Sequence, residues 1–307
     1  MALLAKKTHD IKIKRKRTWD DHLLYMLTNV VLVFALVVVA YPILYVVACS
    51  FSSGSAINRG EVWVWPVGFN LEGYKLLFSY SAIWAGYKNT IFYTVVCTTC
   101  SVITTVMCAY PLSRPNYQGR RGVATLLTLS MMFGAGLIPT YLLYSNLNLT
   151  NTRWVIIING LFGVWNTIIV RTFFQSSIPN ELIEAARIDG CTELRTLFQI
   201  VLPLSTAVLA VVTLYYAVSN WNGYFEHMIY LRDRDLMPLS IIVRDILISA
   251  SINLEDIQDP ELIEKMSGVT DVIKYCTIVV TSGPIIAAYP FVQKYFKKGV
   301  MIGSIKG

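Results

Sequence analysis

Glu184–Pro203 reads EAARIDGCTELRTLFQIVLP. The stretch is polar, carries charges of both signs, and lies between two long apolar runs. Connections in compact folds usually take a handful of residues, whereas about 30 intervene here between Arg171 and Ser205. They carry a helical pattern of their own. Glu181 to Asp189 is rich in helix formers, Asn180 or Ser177 can cap its start, and Pro179 limits its upstream reach. Gly190 suits a helix end, and Thr192 can cap a second short helix running through Gln199. Leu194, Leu197, Phe198 and Val201 recur near helical spacing, and Pro203 separates the segment from the next apolar run. The pattern predicts a bent helix pair with a polar knuckle at Gly190. Such an element can dock into a groove of another protein or lie on lipid headgroups.

The composition says what flanks this pair. The chain has 307 residues, of which 55% are hydrophobic and only 15% charged, with a mean hydropathy of +0.53. Soluble domains carry about a quarter charged residues. The deficit falls in runs of bilayer-spanning length, about 20 residues each. The expectation is an all-α integral membrane protein with six transmembrane helices. The spans are read as Leu23 to Cys49, Tyr87 to Leu112, Gly122 to Tyr144, Trp154 to Phe174, Ser205 to Tyr230 and Asp271 to Val292. Residues 1–22 form a basic tail, and 23–86 hold the first span and a segment on the far side. Residues 87–293 form a five-span core that includes the helix pair 177–203 and a polar loop 231–270. Residues 294–307 form a second tail. The first run is too long for a signal-peptide core and reads as a retained span, although Val46-Val47-Ala48-Cys49 resembles a lipoprotein cleavage box.

Charge orients these spans. One side holds seven basic residues in the N-terminal tail, three in 113–121, three in 171–204 and four in the C-terminal tail. The other side holds the remaining nine of the 26. The basic side faces the cytoplasm, so both termini and Glu184–Pro203 are expected inside and the acidic 231–270 loop outside. The net charge of +7 flanks apolar runs rather than covering a soluble face, which argues against nucleic acid as a partner. Cys97 and Cys100 form a CxxC within an apolar run. No second ligand pair follows at zinc spacing, so packing is expected and no metal.

The spacing of Glu184-Ala185-Ala186, Gly190, Ile200, Leu202 and Pro203 resembles the EAA coupling motif in permease subunits of bacterial ABC importers. Asp189 fits the sugar-importer version, while Cys191 stands where a small residue such as alanine is common. Asn89-Thr90, the run Phe133 to Tyr141, Trp221-Asn222 and the ending Lys298-Gly299…Gly303…Lys306-Gly307 resemble the maltose-permease-like, oligosaccharide-handling branch. The similarity runs from about residue 25 to the end. It implies a type I ABC importer permease fold in the bacterial inner or plasma membrane. It also implies a second, homologous permease subunit, a dimeric cytosolic ATPase, an extracellular solute-binding protein and a sugar substrate. Glu184, Ala185, Ala186, Arg187, Asp189, Gly190, Ile200, Leu202 and Pro203 would meet the ATPase. Gly299, Gly303, Lys306 and Gly307 would form a tail contact with it. The chain has no GxxxxGK[ST], so ATP and Mg belong to the partner and this chain needs no cofactor.

Sugar passage requires hydrogen-bonding groups and aromatic faces. Tyr215, Tyr216, Asn220, Trp221, Asn222 and Tyr224 supply them in the fifth run, with Tyr216, Asn220 and Tyr224 on one helical face. The path residues are therefore Tyr216, Asn220, Trp221 and Tyr224, unless these groups only bond to a neighbouring helix or permease. The histidines His9, His22 and His227 show no catalytic spacing, so no enzyme activity is expected. The alternatives are an ABC permease for a non-sugar solute and a stand-alone secondary transporter. The latter would need coupling carboxylates within its spans.

Overall fold

The computed structural model describes residues 19–255 and 268–287, with Pro290. In chain order its helices are α1 (Trp19–Ser50), α2 (Gly54–Asn58), α3 (Glu72–Ser79), α4 (Ser81–Ser113), α5 (Arg120–Met132) and α6 (Leu137–Asn146). They continue with α7 (Arg153–Asn159), α8 (Val164–Ser177), α9 (Asn180–Ile188), α10 (Glu193–Leu204) and α11 (Thr206–Trp221). The last are α12 (Phe225–Tyr230), α13 (Leu239–Glu255) and α14 (Gly268–Ala287).

Among the described residues three helices, α1, α4 and α14, are long and apolar enough to cross a bilayer alone. The pairs α5–α6, α7–α8 and α10–α11 pass the same test jointly but are bent by 112°, 46° and 85°. The expected third and fourth spans are thus broken, the third bend falls where the fifth span was expected to begin, and the sequence explains where. Phe133-Gly-Ala-Gly136 separates α5 from α6, with Gly136 at φ +79°, a conformation costly for any residue with a Cβ. Gly160 to Gly163 separates α7 from α8. The third break differs from expectation. Pro203 lies inside α10, and the chain turns instead at Ser205. Proline offers no N–H to the preceding turn, and the ladder widens there: Leu202 N–H donates to Leu197 O across a π-type turn at Leu197–Val201.

Other boundaries shift as well. Helix α1 begins at Trp19, so the last residues of the expected tail are helical, with Asp20 and Asp21 in the first turn where the helix dipole favours acids. Helix α4 begins at Ser81 rather than Tyr87. The expected loop 231–270 contains α13, because Leu239, Ile241 and Ile242 form a buried apolar face that the surrounding acidic residues obscured. Residues 1–18, 256–267 and 291–307 lie outside the described residues, and with them Gly299, Gly303, Lys306 and Gly307.

Helix α4 is the axis of the fold. It packs against α3, α5, α7, α8, α11 and α13. Toward its C-terminal end, Val106, Ala109 and Tyr110 join Val170 and Phe174 of α8, Ile183 of α9, Leu197 and Val201 of α10, and Val208, Val212 and Tyr216 of α11. Toward its N-terminal end, Tyr93 and Cys97 pack on Val155–Ile157, Tyr230 and Leu231, so Cys97 is a packing residue here. Ile83 packs with Leu77, Leu239, Ile242, Val272 and Cys276. By contrast, α1 is apolar on all sides and exposed along most of its length, with only Ala48, Cys49 and Ser50 buried at its end. Its 32 residues span about 48 Å at 1.5 Å each, beyond the hydrocarbon thickness of about 30 Å. Lipid is the solvent that suits this surface.

The start of α13 is pinned by two residues of α4. Buried Asn89 donates to Asp235 O (2.7 Å) and Met237 O (3.1 Å) and accepts from Arg153 Nη2 (3.0 Å). Thr90 Oγ1 accepts from Leu239 N–H at 2.9 Å. Gly86 permits the approach, since a Cβ there would lie 3.0 Å from Leu239 Cα. Asn89→Ala therefore removes three hydrogen bonds and takes the shared partner from the Asp235 and Met237 carbonyls and the Arg153 guanidinium. It should destabilise the detergent-purified protein by about 2–3 kcal/mol, read as a lower thermal midpoint. Thr90→Ser, which keeps the acceptor, should change it little.

Candidate functional site

The knuckle at Gly190 is built by local geometry. Pro179, not Asn180 or Ser177, occupies the N-cap of α9. At the other end Cys191 N–H donates to Ala186 O (2.9 Å) and Gly190 N–H to Arg187 O (3.0 Å), with Gly190 at φ +78°. This is a Schellman closure, in which a left-handed glycine satisfies the last carbonyls of a helix. Thr192 then caps α10 by accepting from Arg195 N–H at 3.3 Å.

The two faces of the pair differ. Ile183 and Ala186 of α9 are buried in the cluster at the C-terminal end of α4, with Thr196, Leu197 and Val201 of α10 beside them. Ile200 and Leu202 are half-buried and Pro203 is exposed. Glu184, Ala185, Arg187, Asp189 and Gly190 are all exposed. Ile188 stands beside the turn with 86% of its surface bare, and Leu194 and Phe198 are exposed on α10. An apolar knob rimmed by charges is the chemistry of a docking element.

A polar tie holds the pair in place. Arg187 Nε and Nη2 donate to Glu193 Oε1 at 3.0 and 2.7 Å across the turn. The other carboxylate oxygen, Oε2, accepts from Tyr110 Oη of α4 at 2.8 Å. Burial would raise the Glu193 carboxyl. The hydrogen bonds from Tyr110 and Arg187, with the charges of Arg187 and Arg114, outweigh it and hold the group below its ordinary value. The tie's contribution is therefore fully present above the ordinary carboxylate range and is lost only as pH falls through the depressed value. Arg114, buried at the end of α4, lies 5.2 Å over the Tyr110 ring and donates to Phe174 O of α8 at 3.3 Å. In return Arg171 of α8 donates to Leu112 O of α4 at 3.1 Å. Each helix end thus supplies a cation to the other's terminal carbonyls. A cavity of about 370 Å³ lies under the tie, bordered by Tyr110, Arg114, Tyr117, Arg187 and Glu193.

The expected path residues separate into two groups. Tyr216 is buried, its hydroxyl 2.8 Å from Thr105 Oγ1 and accepting from Gly163 N–H at 3.1 Å. Asn220 donates to Thr98 Oγ1 at 3.2 Å. Both face α4, so the shared face inferred from their spacing serves helix packing within the chain. Trp221 and Tyr224 instead border a cavity of about 430 Å³ at the far end of α11, together with Asn222, Thr90, Ser240 and Thr281. Trp221 Nε1 also donates to Thr281 O at 3.1 Å. Aromatic faces among hydroxyls and an amide suit a hydrogen-bonding solute with apolar faces. Thr90 entered the sequence reading only within Asn89-Thr90, and Ser240 and Thr281 escaped it because isolated hydroxyls carry no spacing signal. Tyr110 and Glu193 escaped it because they lie 83 residues apart.

Comparison with known proteins gives this geometry a setting. The family model described as "Binding-protein-dependent transport system inner membrane component" matches residues 11–301. Protein LplC of Bacillus subtilis (strain 168) is 36% identical over 266 residues, 87% of this chain and 89% of that protein. The polygalacturonan/rhamnogalacturonan transport system permease protein YtcP of the same organism is 36% identical over 287 residues, covering 94% and 98%. A crystal structure of a bacterial ABC transporter involved in import of the acidic polysaccharide alginate contains a chain 33% identical to this one. The match covers 92% of this chain and 99% of that one, with a TM-score of 0.82. The described residues therefore adopt the all-helical type I permease fold.

The Tyr216 clasp is open to test. Tyr216→Phe leaves Gly163 N–H without its acceptor and should cost about 1–3 kcal/mol in thermal or denaturant unfolding. Trp221→Ala and Tyr224→Ala, at the cavity rim, should cost less stability than a fully buried aromatic would, about 3–5 kcal/mol.

Proposed function

We propose, since the chain belongs to the family of binding-protein-dependent transport system inner membrane components, that it is a permease subunit of an ATP-driven importer for an oligosaccharide. It is a multi-pass inner membrane protein, and the relatives it resembles are transport permeases. The observation that carries the reading is the bare Ile188 knob on the Schellman turn at Gly190. It projects from a bundle that supplies no phosphate-binding loop of its own. Energy for transport then comes from a partner.

In this reading the knuckle and both termini face the cytoplasm, as the distribution of basic residues supports. A cytosolic ATPase dimer, holding ATP and Mg, receives the knuckle in a surface cleft. Ile188 fills the cleft, Glu184 meets a basic group at its rim, and Gly190 keeps the turn tight. Ala185 faces the cleft wall, where a larger side chain would obstruct closure. Ala186, Ile200 and Leu202 hold the pair to the bundle from beneath. Gly299, Gly303, Lys306 and Gly307 lie further along the chain in the tail expected to reach the same dimer. Closure of the dimer on ATP pushes the knuckle and reorients the spans. A second, homologous permease completes the pathway, and a solute-binding protein delivers cargo from outside.

The cargo class rests on relatives named for polygalacturonan and rhamnogalacturonan transport and for alginate import. It also rests on the cavity edged by Trp221, Tyr224, Asn222 and hydroxyl groups. Rings of Trp and Tyr stack on the apolar faces of sugars while hydroxyls and amides meet their edges.

Ile188→Asp and Gly190→Asp should each reduce co-purification of the ATPase at least about 10-fold, the loss of a central apolar anchor, while leaving membrane insertion intact. Undiminished co-purification by both variants overturns the docking assignment. For the cargo, the cognate binding protein should gain thermal stability with oligogalacturonides or other oligosaccharides. A shift given only by peptides or amino acids excludes a sugar.

A further inference from the structure

The knuckle must pass its displacement to the spans, and one carboxylate is placed to do so. Glu193 joins three elements. Its Oε1 takes both Arg187 donors from α9, it belongs to α10, and its Oε2 takes the Tyr110 hydroxyl from the last turns of α4. Tyr110 is itself fixed, being buried with Arg114 stacked over its ring. Elsewhere α9 and α10 meet the bundle through side chains such as Ile183, Leu197 and Val201, which are apolar and without directional bonds. The Tyr110–Glu193 hydrogen bond is directional and short, and it reaches the central helix directly.

From α4 the connections continue. Thr105 bonds to Tyr216 and Thr98 accepts from Asn220, so α4 and α11 are linked at two levels. Thr90 of α4 and Trp221 of α11 then border the same cavity. A movement of the α4 end relative to α11 therefore changes the shape of that cavity.

We infer that the Tyr110–Glu193–Arg187 tie is the joint through which displacement of the knuckle is transmitted to α4. Tyr110 and Glu193 are then positioning residues for coupling, distinct from the exposed residues that dock. The inference rests on the knuckle being the ATPase-docking element.

The experiment uses the assembled transporter of this chain with its second permease and ATPase in lipid nanodiscs. Ser282→Cys, on the cavity wall, introduces a thiol that is labelled with a polar maleimide, with and without ATP plus vanadate. The background keeps the buried native cysteines and replaces the half-buried ones, Cys100, Cys108 and Cys191, by serine. ATP plus vanadate should change the labelling rate. Tyr110→Phe, which keeps the ring over which Arg114 stacks, should shrink that ATP-dependent change by roughly 2- to 30-fold. The ATPase should stay bound and basal hydrolysis should stay within about twofold, a change too small to count as lost docking. Glu193→Ala, which removes the acceptor of both bonds, should act in the same direction. The double variant should be no worse than the more severe single, since both remove one connection. If Tyr110→Phe does not assemble, Glu193→Ala alone decides, because the Glu193 side chain is exposed and its removal leaves no cavity. A wild-type-sized labelling change in an assembled, hydrolysing variant overturns the joint. Absence of any nucleotide-dependent change in the parent complex, or failure of the parent to retain ATPase, would instead overturn the docking reading beneath it.

Discussion

A backbone group unwound within hydrocarbon has no water to bond, so it must find a partner within the protein or the break cannot exist. The break between α7 and α8 meets this demand at both sides. Gly160 O lies 2.7 Å from Ser101 Oγ of α4, and Gly163 N–H donates to Tyr216 Oη of α11. The same tyrosine is fixed by Thr105 of α4. One set of hydroxyls thereby permits a bent span, locks three helices together and sets the distance between α4 and α11. The bundle depends on it because apolar side chains alone give helices in lipid little reason to choose one arrangement over another.

Helix α4 is consequently more polar than a lipid-facing span needs to be. Asn89, Thr90, Thr98, Ser101 and Thr105 are buried along it, and each bonds to another element or to a break in one. Helix α1 shows the opposite design, apolar all round and exposed along most of its length. The first helix serves as scaffold for the others, and the second presents a surface to the bilayer. Transport requires this division, since a rearranging core needs specific, exchangeable contacts while its boundary with lipid does not.

The helix pair after α8 was legible because its signals are local. A glycine three residues beyond Arg187, a threonine two beyond that glycine and apolar residues at helical spacing give the turn, the cap and the buried face, and the structure has all three. The six apolar runs were equally plain. Their breaks were not, since glycines are tolerated both within spans and at their interruptions. Only the bends of 112° and 46° distinguish the two uses. Helix α13 was missed because its acidic neighbours outweighed its apolar face in the count. For Tyr216 the spacing identified a face without saying what it meets, and the structure places its hydroxyl against Gly163 and Thr105.

What the sequence by itself determined is the membrane class, the number of apolar runs and the helix pair with its turn at Gly190, all of which depend on composition or on residues within a turn or two of one another. Tertiary structure alone decided that Tyr216 clasps a break rather than facing an open path. It also decided that Trp221 and Tyr224 share a cavity with Thr90, and that Glu193 meets Tyr110. The physical reason is range. Hydrophobicity and capping act through the chain's immediate neighbours, whereas a hydrogen bond between helices depends on where two distant segments come to rest. No periodicity records that outcome.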